Sequence, residues 1–255
     1  GVWDGGKILT THVELVNRVT QKDNSAVLSD HGTHVTGTMI ASGVNPSAKG
    51  MAYGIQGIIA YDFSGDKPEI ATEAPNLLIS NHSYGIISGW NYNSSQSRWE
   101  FHGRSTDNED YKFGYYSNDA QLIDSIAYNA PYYLYVKSAG NSRNQNGPAV
   151  GQPFFRYNAS NSMATAGNRP DGISSNDGYG IVSWEGNAKN ILTVGAVNGI
   201  SSIYSRPEDV GMSNFSAWGP TDDGRIKPDV VAHGVGLLSS VSSSNTSYAS
   251  LSGTS

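Results

Sequence analysis

The chain of 255 residues contains no cysteine. Disulfide scaffolds, thiolate metal ligands and thiol catalysis are therefore excluded. No run of 18 apolar residues occurs, so no stretch reads as a membrane-spanning helix. Positive charge is scarce as well. Lys and Arg number 16 against 22 for Asp and Glu, a net charge of -6. A nucleic-acid binder normally carries a basic stripe, so no nucleic-acid partner is expected. No leader segment is visible after Gly1, although a processed N-terminus would show none. What is abundant is glycine, with 30 residues, and tyrosine, with 15. Many glycines mean tight turns or close backbone approaches. Together with plentiful Ser and Asn, the composition points to a secreted or cell-surface protein.

The length suits one core, and residues 1–255 read as a single domain. Gly1-Val2-Trp3-Asp4 looks like the tail of a buried strand running into a Gly-Gly turn. Apolar runs predict strands at 57–63, 77–85, 132–136, 190–197 and 227–232. Helical spacing appears at 31–42, 68–74 and 119–129, with Ser117 or Asn118 placed to cap the last. Asp30 is placed to cap or lead into the first. Gly32 and Gly37 are poor helix formers and imply that something packs close to that backbone. Residues 213–220 read as a polar–aromatic strand or turn. Two stretches lack periodicity. Residues 86–118 exceed the usual 12–15-residue loop limit, and their aromatics argue against disorder. They read as an insertion or long loop, and 142–186 as an extended loop region. The sum is an α/β fold with a mostly parallel sheet. Several strands end in small polar residues, Asp4, Ser83 and Asn141, and such ends are where ligands bind.

Asp30-His31-Gly32-Thr33-His34 raises a choice between metal binding and catalysis. Zinc-protease helices space two histidines four apart around a glutamate. Here the spacing is three, with Gly32 and Thr33 between, so no metal site is assigned. Acyl transfer needs a nucleophile, a general base and a group that orients the base. Asp4 at a strand end, His31 at a helix start and Ser255 after a Gly-Thr turn supply those residue types. Asn141 after Ser138-Ala139-Gly140 offers a side-chain donor for a developing oxyanion.

Three separated motifs resemble the subtilisin-like serine proteases, the subtilases: residues 31–38 (His-Gly-Thr-His-Val-Thr-Gly-Thr), Ser138-Ala139-Gly140-Asn141 and Gly253-Thr254-Ser255. The resemblance implies a three-layer sandwich around a mostly parallel sheet. It makes Asp4, His31 and Ser255 the catalytic triad and Asn141 the oxyanion donor. Ser83, Tyr84 and Gly85 would be a substrate-binding edge for a polypeptide in extended conformation, with Ser138, Ala139 and Gly140 opposite. His34 becomes a packing residue, and His12, His82, His102 and His233 packing or surface residues. The chain departs from the family's pattern at Gly5-Gly6, where a hydroxyl residue usually follows the aspartate. The implied fold continues before Gly1 and beyond Ser255, where the nucleophile helix would lie. A propeptide and further domains are expected outside these residues.

The implied activity is hydrolysis of peptide bonds by a serine endopeptidase. Two other functions fit the same residues: a catalytically inactive subtilase-like binding or scaffold domain, and a peptide ligase or cyclase. No cofactor is required for the chemistry. Acidic clusters such as 171–177 or Asp222-Asp223 could hold structural calcium, but neither matches a complete calcium loop and both read at least as well as solvated turns. Tyr84 and the aromatic segment point to apolar substrate side chains. Five Asn-x-Ser sequons occur, at Asn81, Asn93, Asn158, Asn214 and Asn245, a motif common by chance.

Overall fold

The computed structural model describes residues 1–200 and 203–255. In chain order its strands are β1 (Val2–Asp4), β2 (Val19–Gln21), β3 (Ile58–Asp62), β4 (Ile79–His82), β5 (Trp90–Asn93), β6 (Arg98–Phe101), β7 (Leu134–Ser138), β8 (Pro153–Tyr157), β9 (Met163–Asn168), β10 (Leu192–Val197), β11 (Val230–His233), β12 (Leu237–Ser240) and β13 (Tyr248–Leu251). The α-helices are α1 (Asp30–Ile40), α2 (Asp66–Glu73) and α3 (Asn118–Asn129).

Alternation along β1 defines the layers. Successive strand side chains point to opposite faces. Val2 packs with Ile8, Leu15, Val35, Ile40 and Ala60, which includes one face of α1. Trp3 packs with Tyr61, Ile70, Ile123 and Tyr135, which includes α2 and α3. Between these layers lies a seven-stranded sheet in the order β11-β10-β7-β4-β1-β3-β2. Every neighbouring pair in it is parallel. Both faces are covered, which parallel sheets require. The expected three-layer α/β architecture is present. The register pairs Trp3 with His82, His82 with Lys137 and Ser138 with Val194. The C-terminal ends of β1, β4 and β7 therefore share one edge, where Asp4, Ser83 and Asn141 emerge.

Helix α1 starts one residue earlier than the apolar spacing predicts. Its cap is Ser29, whose hydroxyl accepts from the Gly32 amide at 2.8 Å. Asp30 is instead the first helical residue, and its carboxylate accepts from the amide and hydroxyl of Ser242. The two helix glycines have a packing cause. A Cβ on Gly32 would lie 2.8 Å from Ile8 Cδ1 and 3.2 Å from Asp4 Cβ. One on Gly37 would lie 2.2 Å from Ser240 Oγ. The hairpin β12–β13, absent from the sequence-based expectation, lies against that side of α1.

Residues 86–118 and 142–186 are mostly turns and loops, but each carries one hairpin. They fold onto each other as a second, four-stranded sheet in the order β5-β6-β8-β9. Two antiparallel hairpins, β5–β6 and β8–β9, join through parallel pairing of Glu100 with Phe155 and Phe101 with Arg156. Trp90, Phe101, Phe154 and Ile173 form its core. Asn176 ties the two stretches together. Its amide donates to the carbonyls of Trp90 and Ser142, and its Oδ1 accepts from the Trp90 amide. Residues 213–220 form no strand.

Candidate active site

Asp4 ends β1, is 2 % exposed, and points at the first turn of α1. Its Oδ1 accepts from the Gly5 amide at 2.8 Å and lies 2.7 Å from His31 Nδ1. Nδ1 must carry the proton in that bond, because a carboxylate only accepts. Nε2 is then the basic nitrogen, and it lies 3.1 Å from Ser255 Oγ. The three side chains form one hydrogen-bonded line across positions 4, 31 and 255. Asp4 Oδ2 is buried without a partner. The Gly5-Gly6 departure supplies a backbone N–H to Oδ1 but no hydroxyl to Oδ2.

The hydrogen bond to Asp4 raises the His31 pKa above 6.5, against the lowering effect of burial. His34, one turn on, has the opposite environment. Its Nε2 meets the carbonyls of Leu237 at 3.0 Å and Ala249 at 3.1 Å, so it pins β12 and β13 to α1. Burial lowers its pKa, and neutrality suits that packing role. His82 is fully buried and stacked against Tyr135 at 3.7 Å, with burial pushing its pKa well down. His12 meets the Ser247 carbonyl at 2.9 Å. His102 lies 3.4 Å from Glu100. None of these three joins the Asp4–His31–Ser255 line.

Asn141 sits past the end of β7. Its Oδ1 accepts from the Thr254 amide at 2.8 Å and from the Thr254 hydroxyl at 2.9 Å. Only the amide oxygen can accept from an N–H, so the orientation follows from chemistry. The Nδ2 donors are thereby turned away from Thr254. Gly140 donates to the Thr254 hydroxyl at 3.1 Å, so the Ser138–Asn141 segment and the Ser255 segment are clasped. Ser83 stands on the other side, with its carbonyl 3.4 Å from Ser255 Oγ.

Beside Ser255 opens a cavity of about 190 Å³. Ser83, Tyr84 and Gly85 form one wall, and Ser138, Ala139 and Gly140 the other. All the residues assigned from sequence are thus in one place. The cavity also holds Lys137, Ser183, Trp184 and Glu185, which sequence reasoning missed. Lys137 had a readable signal, a lysine near the end of an apolar strand, directly before Ser-Ala-Gly-Asn. Residues 183–185 had none, since they reach the site through long-range packing. Tyr84 does not offer an aromatic face to a ligand in the way expected. Its hydroxyl donates to Asp66 at 2.6 Å and meets His82 Nδ1 at 2.9 Å. Among the described residues, no three His, Asp or Glu side chains gather as a metal-ligand set. Asp223 is occupied by Arg225 and the Thr221 hydroxyl.

Fold and site together define an α/β protein with a hydrogen-bonded Asp–His–Ser line beside a side-chain amide. Residues 7–255 match Peptidase S8, the subtilase family, and the chain belongs to that family. Asp4 lies just ahead of the matched span. The C5a peptidase of Streptococcus pyogenes serotype M1 is 59% identical over 58 residues, 23% of this chain and 5% of that protein. The serine protease/ABC transporter B family protein tagA of Dictyostelium discoideum is 26% identical over 299 residues. That alignment covers 93% of this chain and 16% of tagA. The chain therefore spans only a small part of these relatives' length. Among solved structures, the PatG macrocyclase domain aligns with TM-score 0.55 and 12% identity, over 99% of this chain and 70% of that one. At that identity the likeness is one of fold.

Proposed function

We propose that the domain is a serine endopeptidase, with Asp4, His31 and Ser255 as its triad. The observation that supports this best is the line Asp4 Oδ1–His31 Nδ1 at 2.7 Å and His31 Nε2–Ser255 Oγ at 3.1 Å. Base and nucleophile are within hydrogen-bond reach, and the base is oriented by a third group. In the first step Ser255 Oγ forms a bond to the peptide carbonyl carbon, and its proton passes to His31 Nε2. The carbonyl oxygen becomes an oxyanion facing Asn141 Nδ2 and the Ser255 amide. The C–N bond then breaks, and His31 returns the proton to the leaving amine. Water repeats the sequence on the acyl-enzyme. Asp4 holds the tautomer and stabilises the imidazolium without taking its proton.

The substrate in this reading is an extended polypeptide. It would lie along Ser83–Gly85, where the chain has left the sheet, by strand addition. The chemistry uses no metal, so EDTA should leave the initial rate unchanged. A structural calcium at the acidic turns would instead show as a lower Tm after chelation. We also propose secretion or surface display, supported only by the Ser-, Asn-, Tyr- and Gly-rich composition. Recovery in the cytosolic fraction would refute that. The test of the main reading is covalent labelling by a fluorophosphonate. Modification should map to Ser255 and vanish in Ser255→Ala. It should slow by orders of magnitude in His31→Ala. An undiminished rate in His31→Ala would remove the base from the mechanism, and labelling elsewhere would remove the nucleophile.

A further inference from the structure

The cavity beside Ser255 and Asn141 is where the side chain of the residue preceding the cut bond must enter, if Ser255 is the nucleophile. Its lining includes the polar residues Lys137, Ser138, Ser183 and Glu185. Lys137, the penultimate residue of β7, lies there and is 5 % exposed. A buried ammonium is costly unless paired. Its Nζ donates to the Tyr84 carbonyl and makes longer contacts with Ser138, 3.2 Å to Oγ and 3.4 Å to the carbonyl. All three acceptors are neutral. Among the described residues, no carboxylate reaches Lys137 to form an ion pair.

Two carboxylates are near, and both accept hydrogen bonds from Lys67 rather than Lys137. Lys67 bonds Asp66 at 2.8 Å and Glu185 through a short contact. The other oxygen of Glu185 lies 3.5 Å from the Tyr135 hydroxyl. Glu185 lines the cavity, but its Oε1 is already paired with Lys67. On the Gly85 side no side chain of residue 85 covers the ammonium. A Cβ there would lie 3.6 Å from Lys137 Nζ, and Gly85 has none. The adjoining chamber shares Ile86, Ile87 and Trp184 with the cavity. It is lined by His102, Arg104 and Lys112, of which Lys112 is paired with Asp110 at 2.8 Å.

We propose that Lys137 is a specificity-determining residue that makes this cavity select a carboxylate side chain, Asp or Glu, immediately before the cut bond. The inference rests on the endopeptidase reading. A glutamate entering past Gly85 would give the ammonium the anionic partner it lacks. A lysine or arginine would meet a like charge in a dry site. The apolar preference expected from Tyr84 is replaced, because that ring is turned into the fold.

The environment also sets a pH signature. Burial lowers the Lys137 pKa to about 8. The groups facing it are His82 and Tyr84 from β4 and its end, Tyr135 from β7, Asp66 and Lys67 from α2, and Glu185. His82 and both tyrosines are uncharged near neutrality, since burial lowers the first and raises the others. Below about pH 8 Lys137 is a cation, and above it the selecting charge is lost.

The test compares kcat/KM for peptides that differ only in Glu, Gln or Lys before the cut bond, using the full-length protein. Glu and Gln have nearly the same shape, and their ratio cancels the titration of His31. At pH 7 Glu should exceed Gln at least tenfold, and Lys should fall at least tenfold below Gln. The Glu/Gln ratio should approach 1 by pH 9.5. In Lys137→Met the ratio at pH 7 should also approach 1. Being a ratio within one enzyme, it does not depend on how much of the variant folds. Should none fold, the wild-type pH profile decides alone. A Gln or Lys peptide cleaved as well as the Glu peptide, a ratio constant with pH, or a ratio unmoved by Lys137→Met overturns the proposal. Absence of any hydrolysis together with absence of Ser255 labelling removes the endopeptidase reading, and this proposal falls with it. Hydrolysis with another side-chain order removes this proposal alone.

Discussion

In the proposed mechanism His31 is a base in the resting state and a cation during turnover. Its hydrogen bond to Asp4 raises its pKa above 6.5, so protonation sets in earlier as pH falls. The acid limb of kcat/KM should lie above pH 6.5, measured on an uncharged peptide. The sign for stability is the reverse. The His31–Asp4 pair contributes fully below the unfolded pKa near 6.5, and that contribution fades as pH rises through the folded value. Asp4→Asn should lower kcat roughly 10⁴-fold, because the imidazole takes the wrong tautomer. Asn141→Ala should cost about 2.7–4 kcal/mol in kcat, the range known for a comparable donor in subtilisin, itself a subtilase. Full activity in either variant would contradict the role assigned. At this scale the residue types were legible in advance. The orphan Asp4 Oδ2 and the isolation of Lys137 were not, because both depend on which neighbours are missing.

Helix α1 shows how a local element is decided by its surroundings. Ser29 caps it by accepting from Gly32, and the first turn carries His31. Ser29→Ala should cost about 1 kcal/mol in denaturant unfolding. Gly37 offers a sharper case. On helix propensity alone, Gly37→Ala would gain about 1 kcal/mol. The new Cβ would meet Ser239 and Ser240 hydroxyls at 2.5 and 2.2 Å. Overpacking of that kind costs roughly 1–3 kcal/mol. Packing should win, and the variant should be less stable than the parent. A more stable Gly37→Ala would show that the hairpin β12–β13 yields easily. The helix itself was legible from its spacing and from the glycines' close approach. Its true cap was not, since Ser29 and Asp30 are both good cap residues and the choice went to the one whose hydroxyl reaches Gly32.

The two larger sheets of the molecule differ in legibility. Strands of the parallel sheet are apolar runs with buried faces, such as residues 190–197, and the sequence pattern finds them. The second sheet hides. β9 reads Met-Ala-Thr-Ala-Gly-Asn and is largely exposed, and β6 carries Arg98 and Glu100. Their partners lie far along the chain, as with Phe101 and Arg156. Asn176 holds this unit by satisfying the buried Trp90 amide and carbonyl and by reaching the Ser142 carbonyl. Asn176→Ala leaves the buried Trp90 amide and carbonyl unpaired, at about 1–3 kcal/mol each, while the Ser142 carbonyl keeps the Gln145 amide. The expected result is a separate, earlier unfolding step confined to the second sheet, seen by hydrogen exchange on β5 and β8. A single cooperative loss of both sheets would mean that they are one folding unit.

The sequence by itself determined the chemistry on offer: an aspartate at a strand end, a histidine at a helix start, an amide after a Gly turn, and a serine. Those are properties of short stretches, governed by local spacing and caps. Only the tertiary structure decided that His31 Nε2 comes within 3.1 Å of Ser255 Oγ across 224 positions. It also decided that Lys137 is buried beside that pair, and that two unpatterned stretches become a sheet. Such contacts are held by packing between distant segments, whose closure no local pattern records.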